Sequence, residues 1–114
     1  MVEVSDLKKL EIFETFTDKH LEEIAEITEK KSFKKHSHVY ERGKDAKHLF
    51  VVNKGRVSLR RIDPGDEFGI AFETRDPGGL FGAASFVKPQ EYTLTAICLE
   101  DTEVMAIDAD KLFE

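Results

Sequence analysis

From residue 39 onward the chain alternates short apolar runs with turn chemistry, and this rhythm narrows the choice of fold more than any other feature. The runs are Val39-Tyr40, Leu49 to Val52, Val57 to Leu59, Gly69 to Phe72, Thr93 to Ile97 and Val104 to Ile107. Between them stand Arg42-Gly43-Lys44-Asp45, Asn53-Lys54-Gly55, Asp63-Pro64-Gly65-Asp66, Asp76-Pro77-Gly78-Gly79, Lys88-Pro89 and Glu100-Asp101. Gly and Asn admit positive φ, Pro fixes φ, and Asp bonds its own backbone, so each of these segments reverses the chain. Short strands with turns about every 8–12 residues close into a sandwich or barrel of antiparallel strands. All seven glycines lie beyond residue 42, which places the backbone demands on the β part.

Before that part the period is helical. From Ser5 to Thr15 the apolar residues Leu7, Leu10 and Phe13 recur every three positions behind Ser5 as an N-cap. A second helix follows, capped by Thr17, with Asp18 in its first turn and Leu21, Ile24 and Ala25 as its apolar stripe. Phe16 before the cap and Leu21 within the helix have the spacing of a hydrophobic staple. The tail, Asp108 to Glu114, reads as a helix just beginning, with a capping Asp and an acidic first turn. The expected layout is one domain over residues 1–114. Helices occupy 1–31, a β-roll 32–108, and the start of a C-terminal helix 109–114. A helix of about one turn has no stability of its own, so the sequence is expected to continue beyond residue 114 into an output domain.

Composition removes several functional classes. Acidic residues exceed basic ones by 23 to 17, for a net charge of −6. The single basic cluster, Lys30-Lys31 with Lys34-Lys35-His36, reads as a solvated face, so no nucleic acid is expected on this segment. Cys98 is the only cysteine, and its neighbours Ala96, Ile97 and Leu99 make it a small buried hydrophobe. It excludes an internal disulfide. The N-terminus lacks a signal peptide's charge and apolar run, and no stretch is long enough to cross a membrane. A cytoplasmic location is expected.

Two small helices, a run of short strands and a terminal helix resemble the cyclic-nucleotide-binding domain, a jelly roll of regulatory proteins such as catabolite-activator-type regulators. Val39 to Val57, with Gly43 and Gly55 at its turns, is similar to the family's second and third strands and the opening of the fourth. Asp76-Pro77-Gly78-Gly79-Leu80-Phe81-Gly82 resembles the loop leading into the phosphate-binding cassette. Leu99 to Val104 followed by Ile107-Asp108 resembles the last strand and its exit into a helix. The resemblance implies a mostly-β fold and a ligand-sensing regulatory domain for signal transduction. A ligand in the roll would shift a following helix and, through it, the output module. A homodimer is a further partner arrangement that the resemblance allows.

The likeness breaks at the grips. In binding members the cassette begins Phe-Gly-Glu and ends in Arg followed by Ser, Thr or Ala. The Glu takes the ribose hydroxyl and the Arg forks onto the cyclic phosphate. Here Ala83 stands at the Glu position, the Arg position falls on Gln90 to Tyr92, and no Arg occurs between Arg75 and Glu114. Hydrogen bonds to charged groups are worth roughly 1.5–3 kcal/mol each, so losing both weakens binding by about 10²–10⁴-fold. The sequence therefore argues against cyclic AMP or GMP binding at signalling concentrations, and no cofactor is expected. A cyclic nucleotide or another small anionic, nucleotide-like ligand would have to use Gly82, Ala83, Ala84, Ser85, Tyr92 and Thr93. The alternative is a protein-interaction or dimerisation module whose pocket is filled by Tyr92, Phe86 and Leu80.

Catalytic readings fare worse, and the chain is expected not to be an enzyme. His36-Ser37-His38 would put two imidazoles on one strand face, as in metal-dependent cupins. The later partner His is missing, because the last histidine is His48. No serine has a Gly-x-Ser-x-Gly surround, and Gly78-Gly79 with Gly82 follows no βαβ pattern.

Overall fold

A computed structural model describes residues 2–66, 69–86 and 90–112, and for Phe86 the backbone alone. The fold is mostly β, as expected: two four-stranded antiparallel sheets packed face to face, with helices against one outer face. The first sheet runs β1 (Thr28–Phe33), β8 (Thr102–Asp108), β3 (His48–Lys54), β6 (Leu80–Phe81). The second runs β2 (His38–Tyr40), β7 (Thr95–Cys98), β4 (Val57–Arg61), β5 (Ile70–Arg75). Each of the six expected runs contains a strand, although Gly69, at a φ of +67°, precedes β5 and Thr93 and Leu94 precede β7.

Two elements differ from the expected layout. The first helix, α1, covers only Val4–Lys8, and Glu11–Phe13 is a separate 3₁₀ turn. The three-residue spacing of Leu7, Leu10 and Phe13 is the reason. It matches the tighter 3₁₀ period better than 3.6, and all three side chains are buried. The cap is Glu3, whose N–H donates to the Asp6 carboxylate at 3.0 Å, rather than Ser5. In α2 (Asp18–Glu26) the expected cap holds, the Thr17 hydroxyl accepting from the His20 N–H at 3.2 Å. Phe16 packs edge-on against Phe13, ring centroids 5.3 Å apart.

The second difference is the boundary at residue 31. Strand β1 begins at Thr28 and pairs with β8 from Thr28↔Ile107 to Phe33↔Thr102. Its sequence, Thr-Glu-Lys-Lys-Ser-Phe, lacks an apolar run because β1 is a sheet edge and mostly exposed. Lysines on an edge strand discourage pairing with other chains. At the other end α3 (Ala109–Leu112) confirms that a helix opens after β8, its Lys111 N–H donating to the Asp108 carboxylate at 3.1 Å. Residues 113 and 114, like the Lys88-Pro89 turn, lie outside the described residues.

The strands β3 and β8 divide two cores between their faces. Leu49, Val51, Met105 and Ile107 point outward and are covered by Leu7, Leu21 and Ile24 of the helices. Phe50, Val52, Val104 and Ala106 point into the roll against Val57, Leu59, Phe81 and Cys98. Cys98 is fully buried, and burial pushes its thiol pKa up.

Gly55 shows how tightly the roll closes. Its φ is +94°, and a Cβ there would lie 2.6 Å from the Asp101 carbonyl oxygen and 2.8 Å from Thr102 Cα. Gly65 has a similar φ of +93° with nothing within 4 Å. Gly55→Ala is therefore expected to cost about 3 kcal/mol or more, through strain and backbone clash, and Gly65→Ala only about 1–2 kcal/mol. Urea denaturation of both variants checks this, and equal losses would contradict the close-approach account.

Candidate functional site

The corner after β6 is built around Gly82. Its φ is +86°, and a Cβ would come within 2.9 Å of the His48 carbonyl oxygen and 3.1 Å of the Phe50 ring. Only glycine lets the chain lie this close to β3. The next residues form a single 3₁₀ turn, Ala83–Phe86. Ser85 is 1% exposed, and both its N–H (3.1 Å) and its hydroxyl (2.8 Å) donate to the Gly82 carbonyl. Its hydroxyl therefore closes the turn rather than facing a ligand. Ala83 is exposed, and Ala84 packs against the inner core.

Of Gln90 to Tyr92, on which the expected guanidinium position falls, the segment that leaves the corner turns one residue inward. The Gln90 side-chain amide donates to the Ser85 carbonyl at 2.7 Å. Glu91 is exposed. Tyr92 alone turns inward, at 5% exposure. Its backbone is stitched to the β2–β3 loop: Gly43 N–H donates to the Tyr92 carbonyl at 2.8 Å, and Tyr92 N–H to that of Lys44 at 3.0 Å. Its ring stacks on Tyr40, centroids 3.7 Å apart and planes 8° from parallel. Tyr40 in turn meets Phe50 at 5.7 Å and Phe81 at 6.0 Å, and those two rings stack at 5.2 Å. The Tyr92 hydroxyl donates to the His48 carbonyl at 3.0 Å and accepts from the His48 N–H at 3.3 Å.

Four aromatic rings thus fill the interior beside Gly82, and three of them, Tyr40, Phe50 and Phe81, went unassigned in the sequence reading. Their inward parity along β2, β3 and β6 was the available signal. Of the side chains expected to plug the roll, Tyr92 does so. Leu80 is partly exposed, and the Phe86 side chain lies outside the described residues. Thr93 faces outward, into an open cleft of about 1050 Å³. Glu41, Asp63, Asp66 and Glu91 line that cleft against Arg42 and His38. The Arg42 guanidinium is already spent on Asp63 at 3.0 Å, and together with Arg61 it holds the Asp63 carboxyl below its usual range. Such a lining repels a phosphate.

A guanidinium does approach the corner from elsewhere. Arg75 on β5 donates its Nε–H to the Leu80 carbonyl at 2.8 Å and pairs with Glu73 at 2.8 Å. These bonds, with a longer one to the Thr74 carbonyl at 3.5 Å, hold its guanidinium against its own strand and the Leu80 backbone.

Comparison with known proteins accords with this geometry. Residues 30–114 match the family described as the cyclic nucleotide-binding domain. The chain belongs to this family. An anaerobic regulatory protein of Bacillus subtilis is 26% identical over 87 residues, which are 75% of this chain and 36% of that relative. The matched part is thus about a third of that curated relative's length. The crystal structure of a Geobacter metallireducens protein described as cyclic-nucleotide-binding superimposes with a TM-score of 0.87 at 28% identity, covering 99% of this chain and 80% of that one. The sensor domain of the transcriptional regulator DNR from Pseudomonas aeruginosa gives 0.83 at 18% identity, covering 96% and 73%.

Within this family fold, the expected pair of imidazoles is not on one strand face. His36 has a φ of +74° in the turn after β1, its N–H donating to the Cys98 carbonyl at 2.8 Å, and β2 begins only at His38. His38 pairs with Glu41 at 3.4 Å. Among the described residues no three His, Cys, Asp or Glu side chains converge as metal ligands.

The ring ladder has two measurable consequences. Tyr92→Phe keeps the stack but removes both bonds to His48, and is expected to lower stability by about 1–2 kcal/mol in chemical denaturation. An unchanged midpoint would remove the hydroxyl from the account. The Tyr40 phenol is pushed well above its ordinary value of 10 by burial and the neighbouring Tyr92, and Tyr92 is raised by burial. The folded state therefore favours the neutral phenols. Their contribution is complete below about pH 10 and falls as pH rises above it, while the unfolded phenols ionise first. A stability–pH curve should decline beyond about pH 10, and less steeply in Tyr40→Phe. A decline of equal slope in both proteins would contradict the assignment.

Proposed function

We propose that this domain is the non-enzymatic sensor of a regulatory protein in which Tyr92 holds the place of the phosphate-binding guanidinium. Cyclic AMP and cyclic GMP are not its ligands. The observation that carries this reading is the Tyr92 ring, stacked on Tyr40 and bonded through its hydroxyl to both backbone groups of His48. Ala83 supplies no carboxylate for a ribose, and the acidic cleft outside repels phosphate. Membership of the family and likeness to regulator sensor domains support a role in signalling to an output domain. No helix among the described residues is long and apolar enough to cross a membrane. That accords with a cytoplasmic setting, and the charge balance with an output reached through protein contacts rather than nucleic acid.

A second reading is favoured by the same filled interior. A roll that needs no ligand to complete its packing can serve as a protein-interaction or dimerisation module. Calorimetry separates the possibilities. The protein titrated with cyclic AMP, cyclic GMP or cyclic dinucleotides at sub-millimolar concentration should give no heat. The double variant Ala83→Glu/Tyr92→Arg should gain measurable cyclic AMP affinity, since two charge-assisted bonds are worth about 10²–10⁴-fold. Micromolar binding of a cyclic nucleotide by the unmodified protein would overturn the proposal.

A further inference from the structure

The inner face of the first sheet ends, next to α3, in a group of charges with one histidine among them. His48 opens β3, and its ring lies on the same face as that of Phe50, centroids 6.0 Å apart. Asp108, the last residue of β8, is its direct partner in the register. Side chains opposed in this way stand about 4.5–5.5 Å apart at Cβ. From β1 the same face receives Glu29 and Lys31, opposite Ala106 and Val104. The β2–β3 loop brings Lys44, Asp45 and Lys47 to the opening beside His48, and β2 brings His38, which is paired with Glu41 at 3.4 Å.

The same place anchors α3. The Asp108 carboxylate accepts from the Lys111 N–H at 3.1 Å, and the Ala109 N–H donates to the Lys47 carbonyl at 3.0 Å. Asp108 thus serves two elements, its backbone ending β8 and its side chain closing the first turn of the helix. A neutral imidazole leaves that carboxylate to the helix. An imidazolium would offer it a full charge in place of a backbone dipole, at a half-buried pair of positions where solvent screens less. In the present arrangement burial, and after it the Lys31 charge, hold His48 below its ordinary value of 6.5, with Asp108 and Glu29 pulling the other way. The arrangement is therefore complete above about pH 6.5 and loses stability as pH falls below it. A proton on His48 works against this arrangement, and the directly opposed carboxylate is placed to receive it.

We propose that His48 is a proton-operated switch on α3: when its imidazole takes a proton from solvent, the Asp108 carboxylate turns to it and leaves the Lys111 N–H without its cap. The device needs no ligand in the roll, so it stands or falls apart from the reading of the Gly82 corner. An NMR titration of the whole chain from about pH 8 to about pH 5 tests it, following the His48 ring and the Lys111 amide. The amide proton should move upfield with the midpoint of the ring. Its exchange, corrected for the intrinsic effect of pH, should quicken by up to about fivefold, the factor for an ordinary cap. Asp108→Asn should lower the ring's midpoint and Lys31→Gln should raise it. In Lys31→Gln the Lys111 amide should follow to the new midpoint, which a general loosening in acid would not make it do. In His48→Gln the amide should show no step in this range. A ring that stays neutral throughout would overturn the proposal, as would an amide step that persists in His48→Gln. So would an amide left behind when Lys31→Gln moves the ring, or a ring midpoint unmoved by Asp108→Asn.

Discussion

Strand β3 is the constraint on which the other parts depend. It pairs with β8 over most of its length and with β6 at Phe50 and Val51, so its backbone is fixed from both sides. Its side chains serve both cores, Leu49 and Val51 outward to the helices, Phe50 and Val52 inward to the roll. Its first residue, His48, then receives two further contacts: the close approach of Gly82 and the hydroxyl of Tyr92. The corner at Gly82 and the aromatic ladder are positioned by reference to one strand with almost no freedom. That is why the corner keeps its backbone shape even though its charged side chains are gone.

The chain order shows why this much could be read in advance and no more. A strand covered on both faces must be apolar throughout, and Leu49 to Val52 announces itself for that reason. The turns at Gly43 and Gly55 are legible because glycine takes a φ near +90° without strain, and at Gly55 neighbouring backbone also stands where a Cβ would lie. Strand β1 is the opposite case. It is an edge strand held by one neighbour, its residues Glu29 and Lys30 belong to solvent, and its strand character comes from the register with β8. No local pattern encodes that.

The site divides in the same way. The loss of the carboxylate at Ala83 and of the guanidinium is written in the sequence directly. Where Tyr92 points is not, because the direction of a side chain leaving a loop depends on which of Gln90, Glu91 and Tyr92 the β2–β3 loop holds inward. The three backbone hydrogen bonds to Gly43, Lys44 and Ala46 settle it, and all three join segments more than forty residues apart. The Ser85 hydroxyl turns to its own backbone for a related reason. A hydroxyl at a helix start is as well satisfied by its own turn as by an anion, and in a one-turn 3₁₀ element the turn takes it.

On the proposed reading, a stacked phenol in place of a buried guanidinium changes what the roll requires. A buried charge left without its counter-ion is costly, so a roll with Arg at this position is completed by an anionic ligand, whereas packed aromatics in place of a buried ion pair are often neutral or stabilising. Tyr92 makes the interior self-sufficient. A ligand entering at the corner must first displace one ring stack and two hydrogen bonds, on the order of 2–4 kcal/mol, a reduction of about 30- to 1000-fold in apparent affinity.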